Sequence, residues 1–176
     1  MARQPLGNSL PDFPWNSLAE AKKKAQSHPD GIVDLSVGNP VDPVAPGVQL
    51  AMASNAEASG YPTTAGTAQL QEAIRGNVAR RTGAQPSSFG VLPVIGLKES
   101  IAWLPTLLGM RGQRVIIPSV AYPSYKVGAL IAGAHPERAD DPRDFGDAEL
   151  AFINSPSNPT GRVKTVDCLL NTSLMA

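Results

Sequence analysis

The chain has 176 residues, of which 42% are hydrophobic, and its 15 basic and 15 acidic side chains cancel. This length suits one ordinary globular domain, and the balanced charge argues against a nucleic-acid or anionic-membrane partner, which leaves a small molecule or another protein. The single cysteine, Cys168, excludes an intramolecular disulfide, and the absence of both a signal-peptide core and an apolar run of about 18 residues predicts a cytoplasmic protein outside the membrane.

The first part of the chain is predicted to form helices joined by turn-rich segments. Residues 15–26 have a helix-forming composition, and residues 31–40 read as a short strand that runs into a Gly-Asn-Pro turn. Two further helices are predicted at 47–58 and 67–83, the second of which ends in a glycine. The segment before Pro46 therefore resembles an arm more than a core.

The second part alternates between strand and helix. Strands are predicted at 90–96, 113–119, 135–140 (weakly) and 149–155, and helices at 98–110 and 122–134. This alternation predicts an α/β fold with a mostly parallel sheet and crossover helices. Ligands of such sheets bind beyond the carboxyl ends of the strands, so the loops that contain IGLKE, PSVAYPSY and NSPSNPTG are expected to converge.

These loops carry no standard nucleotide fingerprint, because neither G-x-G-x-x-G nor G-x-x-x-x-G-K-[ST] occurs. Gly96 precedes a predicted helix whose first backbone N–H groups, at 97–99, could bind an anion. For this motif alone, a plain strand-to-helix turn is the favoured interpretation. His28 and His135 have no ligand spacing and no nucleophile context, so neither a metal site nor a catalytic triad is expected.

Several motifs together resemble, in order and spacing, the N-terminal half of class I/II aminotransferases, the fold-type I pyridoxal-phosphate enzymes. They are DLSVGNPVDP, GYPTTAGTAQLQEAI, VLPVIGLKESIAWLP, VIIPSVAYPSY and NSPSNPTGRV, and the likeness covers about residues 11–163. Within the family, the sequence is most similar to the N-succinyldiaminopimelate aminotransferases of actinobacteria, which share FPW, HPDGIVDLSVG and AWLPTLLG. The resemblance implies an incomplete three-layer α/β/α sandwich with an N-terminal arm.

The resemblance also implies a domain organisation. Residues 1–45 would form the arm and part of a small domain, and residues 46–163 would form the N-terminal part of the large cofactor-binding domain. Residues 164–176 do not continue the family pattern and are expected to be a divergent tail.

By resemblance, six residues would bind pyridoxal 5'-phosphate, five within one subunit and the sixth, Tyr61, across the subunit contact. Asn158 would donate its amide to the phenolic oxygen of the cofactor, with an ordinary Asn-Pro turn as the alternative. Tyr122 would stack on the pyridine ring, or else be a core or interface tyrosine. Gly96, Leu97 and Lys98 would form the phosphate cup, in which Leu97 replaces the usual Ser or Thr and removes a hydroxyl contact.

The resemblance assigns further residues to the subunit contact, the substrate and the loop shape. Tyr61 would reach the phosphate of the neighbouring subunit in a homodimer, or else pack locally in a turn. Gly38 would lie beside the substrate carboxylate, although it also suits a plain turn, and Asn158 would bind the substrate as well as the cofactor. Pro159 would hold its loop in a fixed shape, with a cis Asn158–Pro159 bond as one way to do so.

The implied activity is the transfer of an amino group from glutamate to N-succinyl-2-amino-6-oxopimelate in lysine and diaminopimelate synthesis, with amino acids and 2-oxo acids as substrates. No residue matches the catalytic lysine, the ring-binding aspartate or the carboxylate-binding arginine of the family, so no catalytic residue is assigned. The sequence thus predicts a truncated aminotransferase. The alternative is a non-catalytic fragment or a subunit that depends on a partner chain.

Overall fold

The structure, a computed structural model, describes residues 5–173, with side chains up to residue 170. The chain divides into two compact units, of which one comprises the residues up to Lys24 and from Ile95 onward, and the other is Ala25–Val94. The domain limits implied by the sequence, at residues 45 and 163, stay a prediction.

Helices alternate with short strands in the second part of the chain, as the sequence predicts. The elements are α1 (Ala19–Gln26), α2 (Pro46–Ser54), α3 (Ala68–Thr82), α4 (Leu97–Leu107), β1 (Arg114–Ile117), α5 (Pro123–Ala132), β2 (His135–Arg138), β3 (Leu150–Ala151) and α6 (Val166–Ser173). Within residues 5–173, none of the helices has the length and apolar character needed to cross a membrane.

The unit Ala25–Val94 consists of α2, α3 and their connecting segments. The Thr67 side chain accepts a hydrogen bond of 3.1 Å from the backbone N–H of Leu70 and so caps the N-terminus of α3. Gly83 ends this helix in the left-handed conformation, with φ 75°, which glycine adopts without the steric cost of a Cβ. The predicted glycine stop is confirmed.

The other unit contains a parallel sheet with strand order β2-β1-β3. The consecutive residues Val115, Ile116 and Ile117 of β1 are all buried, which means that this central strand is covered on both faces. The prediction of an α/β fold with a parallel sheet is confirmed.

Helix α5 packs on the sheet and α4 packs on α5. Ala129 of α5 joins Val115 and Ile117 in the core cluster. A Cβ added at Gly128 would come within 2.8 Å of the Ala102 backbone, so α4 and α5 cross at a point where only glycine fits.

Two predicted strands do not form. Residues 31–40 and 90–96 are irregular, and the side chains of Leu35 and Ile95 are 89% and 99% exposed. An apolar run becomes a strand only where a neighbouring strand pairs with it, and neither segment has such a neighbour within residues 5–173. The strand predicted at 149–155 is also shorter, because only Leu150–Ala151 pairs in the ladder.

Candidate functional site

The loops that follow the three strands meet at the carboxyl edge of the sheet. They line a pocket of about 130 Å³, with Val120 from the loop after β1, Asp140 from the loop after β2, and Asn154, Ser157 and Lys164 from the chain after β3. Parallel strands end at the same edge of a sheet, which explains why three distant sequence motifs converge. We call this cavity the strand-end pocket.

Hydrogen bonds tie these loops together. The Asp140 carboxylate accepts the backbone N–H of Ser119 at 3.1 Å, and the Lys164 ammonium donates to the Asp140 carbonyl. Hydrogen bonds from Ser119 hold the pKa of Asp140 below its usual value. The Arg138 guanidinium donates to the Ser119 carbonyl. Charged side chains thus fix the loop that leads to Tyr122.

The loop around Asn158 is shaped by its own hydrogen bonds. The Asn158 N–H donates to the side-chain oxygen of Asn154 at 2.7 Å, and the Ser157 N–H donates to the Arg162 carbonyl at 2.8 Å. The Asn158–Pro159 bond is cis, which confirms that expectation. The Asn158 side-chain amide is exposed and forms no hydrogen bond within the described part of the chain, so it is free to bind a ligand.

The first turn of α4 presents free backbone donors. Gly96, the N-cap, has an extended backbone and provides no side-chain cap, and Ser100 is the residue whose N–H bonds to the Gly96 carbonyl, at 3.2 Å. The N–H groups at 97–99 precede that bond and therefore have no acceptor within the helix. Leu97 is 74% exposed, so the side chain does not bury these donors.

Tyr122, the N-cap of α5, lies beside the same turn. The Lys98 ammonium is 5.6 Å from the centre of the Tyr122 ring and 4.7 Å from that of Phe13. The Trp15 ring stacks on Phe13 at 4.8 Å and contacts Tyr122 at 5.7 Å. The structure therefore brings Lys98, in the first turn of α4, next to Tyr122, whereas the clustering of Asn158 with these two residues stays a prediction.

Phe13 and Trp15 were missed as site residues by sequence reasoning. The signal available for them was the FPW motif, which the resemblance includes without a role. Gly38 and Tyr61 belong to the unit Ala25–Val94, where both are exposed, and their roles stay predictions.

A parallel sheet whose loops converge at its carboxyl edge defines an α/β fold, and proteins of this kind bind small molecules at that edge. The sequence model of the family described as aminotransferase class I and II matches residues 30–171, so this chain belongs to that family. The predicted recognition and the fold-type I architecture are both confirmed.

Individual relatives agree with this assignment. The chain is 56% identical over 172 residues to "Probable aminotransferase Rv1178" of Mycobacterium tuberculosis, with 96% of this chain and 41% of that protein covered. It is 44% identical over 160 residues to "4-dedimethylamino-4-oxo-anhydrotetracycline transaminase OxyQ" of Streptomyces rimosus. This match covers 89% of this chain and 45% of that protein.

A solved structure of N-succinyldiaminopimelate aminotransferase from Mycobacterium tuberculosis superposes with a TM-score of 0.75 and 26% sequence identity. The match covers 99% of this chain and 49% of that one. The chain thus spans less than half the length of these three relatives.

Proposed function

We propose that this chain forms the N-terminal part of the cofactor-binding domain of a pyridoxal-phosphate-dependent aminotransferase. The observation that carries the proposal is the position of Lys98, in the first turn of α4, whose ammonium lies 5.6 Å from the Tyr122 ring. One cofactor can bind both to the start of a helix, through its phosphate, and to a stacking side chain, through its ring, only if the two lie close together. The first turn of α4 and Tyr122 meet this condition.

The residues at the start of α4 fit a phosphate group. Their free N–H groups and the positive end of the helix dipole both favour an anion, and Lys98 adds a formal positive charge close by. Leu97 removes the hydroxyl that the family usually provides here. The backbone N–H groups would therefore provide a larger share of the hydrogen bonds to the phosphate in this chain.

Two side chains fit the cofactor ring. Tyr122 would stack on the pyridine, and the free amide of Asn158 would donate a hydrogen bond to the phenolic oxygen. When bound, pyridoxal phosphate supplies the electron-withdrawing ring on which amino transfer depends. The chain's own residues would bind this ring and fix its orientation.

The remaining assignments are supported by the motifs that this sequence shares with the family. Gly38 would lie beside the carboxylate of an amino-acid or 2-oxo-acid substrate, Asn158 would also bind the substrate, and Tyr61 would reach the phosphate site of the second subunit in a homodimer. Residues 46–163 would belong to the large domain, and the location would be cytoplasmic.

We propose glutamate as the amino donor and N-succinyl-2-amino-6-oxopimelate as the acceptor. This substrate choice is supported by the motifs shared with succinyldiaminopimelate aminotransferases and by the structural likeness to the M. tuberculosis enzyme of that name. No observation favours the non-catalytic alternative over this proposal.

The cofactor proposal is tested by comparing pyridoxamine 5'-phosphate with pyridoxamine in calorimetric titrations of the purified chain. Neither compound condenses with surface lysines, so the difference reports the phosphate cup. We expect the phosphorylated compound to bind about tenfold more tightly or better, because charge-assisted hydrogen bonds contribute about 1.5–3 kcal/mol. Equal affinities would contradict the proposal.

Two variants test, in the same titration, which side chains bind the cofactor ring. Tyr122→Ala and Asn158→Ala should each weaken binding several-fold, whereas Asn55→Ala, which alters an exposed asparagine of the other unit, should not. The substrate proposal is tested separately, in a full-length aminotransferase that has this sequence as its N-terminal part, because no residue of the chain matches the catalytic lysine. N-succinyl-2-amino-6-oxopimelate and pyruvate are compared as acceptors in a glutamate-dependent assay. A preference for pyruvate would contradict the substrate while leaving the cofactor site intact.

A further inference from the structure

Two aromatic side chains near the start of the chain have no role in the proposed function. Phe13 and Trp15 flank Pro14, the first residue of a short 3-10 helix, Pro14–Leu18. The Asn16 N–H donates to the Phe13 carbonyl at 2.9 Å. Proline already has the backbone φ of a helix start, so local chemistry holds the two aromatic residues in one short turn.

The two rings contact different parts of the proposed cofactor site. Phe13 and Trp15 stack on each other, with ring centres 4.8 Å apart. The Lys98 ammonium lies over the Phe13 ring, 4.7 Å from its centre, and the Trp15 ring is 5.7 Å from the Tyr122 ring. One stacked pair thus bridges the first turn of α4, which would bind the phosphate, and the N-cap of α5, which would stack on the cofactor ring.

The contact with Phe13 restrains the Lys98 ammonium. Within the described part of the chain, the partners of this ammonium are the rings of Phe13 and Tyr122. An exposed lysine otherwise samples many rotamers, and a ligand that holds it must offset the loss of that freedom. Attraction to an aromatic face keeps the positive charge near the start of α4 before a ligand binds.

The contact with Trp15 restrains the Tyr122 ring in a similar way. The two ring planes meet at 51°, a tilted arrangement that aromatic pairs prefer to a face-to-face sandwich. Both side chains are half-buried. A ring that is partly covered by a neighbour has fewer orientations, while its uncovered surface can still stack on a ligand.

We propose that Phe13 and Trp15 are positioning residues of the cofactor site. Phe13 acts through Lys98 on the phosphate, and Trp15 acts through Tyr122 on the ring. This inference rests on the proposed function, because it needs the start of α4 to bind the phosphate and Tyr122 to stack on the cofactor. It predicts separable effects on the two ends of one ligand.

Pyridoxamine 5'-phosphate and pyridoxamine separate these effects in calorimetric titrations of the purified chain. The ratio of their affinities reports the phosphate, because a lost ring contact weakens both compounds alike. Phe13→Met, which keeps an apolar side chain without an aromatic face, should lower this ratio about threefold. Trp15→Met should weaken both compounds about threefold and leave the ratio unchanged.

Conservative variants and matched controls separate positioning from a role in folding. Phe13→Tyr and Trp15→Phe keep an aromatic face and should keep the affinities of the unaltered chain. Phe89→Leu and Trp103→Leu remove rings outside these contacts and should change neither affinity. Thermal melting followed by circular dichroism monitors folding. Unfolding of Phe13→Met or Trp15→Met at the titration temperature would assign that residue to the fold and overturn its positioning role.

Double-variant cycles show whether each residue acts through its partner. In a Lys98→Met background, Phe13→Met should no longer change the affinity ratio. In a Tyr122→Ala background, Trp15→Met should no longer change either affinity. A ratio kept by folded Phe13→Met, or full additivity in either cycle, would overturn this inference alone. Equal affinities of the unaltered chain for the two compounds would overturn the proposed function and this inference with it.

Discussion

The two compact units differ in how their helices are stabilised. In Ala25–Val94 no residue is buried, although α3 has a side-chain cap at one end and a left-handed glycine at the other. In the unit from Ile95 onward, β1 is buried on both faces and α5 packs against it. Helices can thus form from local signals in both units, whereas a core forms only where strands pair.

The contrast has a consequence for stability. In α2, Leu50 and Met52 are 69% and 70% exposed, so these apolar side chains add little burial energy to their unit. Caps and propensity each contribute about 1 kcal/mol, whereas a buried aliphatic side chain contributes several-fold more. The unit that contains the sheet should accordingly be the more resistant to unfolding.

The largest effect should come from truncating the central strand. Ile116 is 1% exposed, and Ile116→Ala should lower the free energy of unfolding by about 2–5 kcal/mol through lost burial and a cavity. Leu50→Ala, the matched change in α2, should cost less than about 0.5 kcal/mol. Urea denaturation followed by circular dichroism measures both. Equal losses would remove the distinction between the units.

Two helical glycines provide the next comparison. Gly128→Ala would place a Cβ within 2.8 Å of the Ala102 backbone and should cost about 1–3 kcal/mol. At Gly76 in α3, the nearest atom is the end of the flexible Arg80 side chain, at 3.2 Å. Gly76→Ala should therefore stabilise its helix by about 0.5–1 kcal/mol. A stabilising Gly128→Ala would show that α4 and α5 do not cross this closely.

A smaller effect is expected at the cap of α3. Thr67→Ala removes the acceptor for the Leu70 N–H and should lower helix stability by about 1 kcal/mol. Hydrogen exchange should accelerate at the amides of α3 and stay unchanged at those of β1, because the two elements belong to different units. Thr67→Ser, which keeps the hydroxyl, is the control and should preserve protection.

The smallest effect is expected on the loss of folding stability at acid pH. Arg114 binds Glu137 through two hydrogen bonds of 2.9 and 2.7 Å and also pairs with Asp147, and these contacts lower the pKa of both carboxyl groups. A depressed folded-state pKa gives stability that is present above the unfolded value of about 4 and is lost as the pH falls below it.

Arg114→Met should therefore flatten the loss of stability as the pH falls below about 4, in melting curves recorded from about pH 5 downward. Arg75→Met removes the looser 3.7 Å pair with Glu72 in α3 and should leave the acid dependence unchanged. A steeper acid loss in Arg114→Met would contradict the assignment.

The same contrast shows what the sequence can predict. Helix α3 and its end at Gly83 follow from residues close together in the chain, and the apolar run at 113–119 contains the buried strand β1. The runs at 31–40 and 90–96 have similar composition but no pairing strand in the described part of the chain, and composition does not show whether a strand will find a partner.

The predictions for the site differ in a similar way. The turn at Gly96 and the loop at Asn158 were predicted from motifs whose geometry is local. The contacts of Phe13 and Trp15 with Lys98 and Tyr122 join residues far apart in sequence, and only the folded chain brings them together. Sequence patterns therefore predicted the loops of the site better than the side chains that surround them.

The central claim is that the first turn of α4 and the neighbouring strand-end loops form one cofactor site. The most direct measurement is a titration of the ¹⁵N-labelled chain with pyridoxamine 5'-phosphate, followed by amide chemical shifts. The account predicts the largest shifts at 97–99 and at Asn158, with a smaller shift at Ser100, whose N–H already bonds to the Gly96 carbonyl. Largest shifts within α3, or none at 97–99, would contradict it.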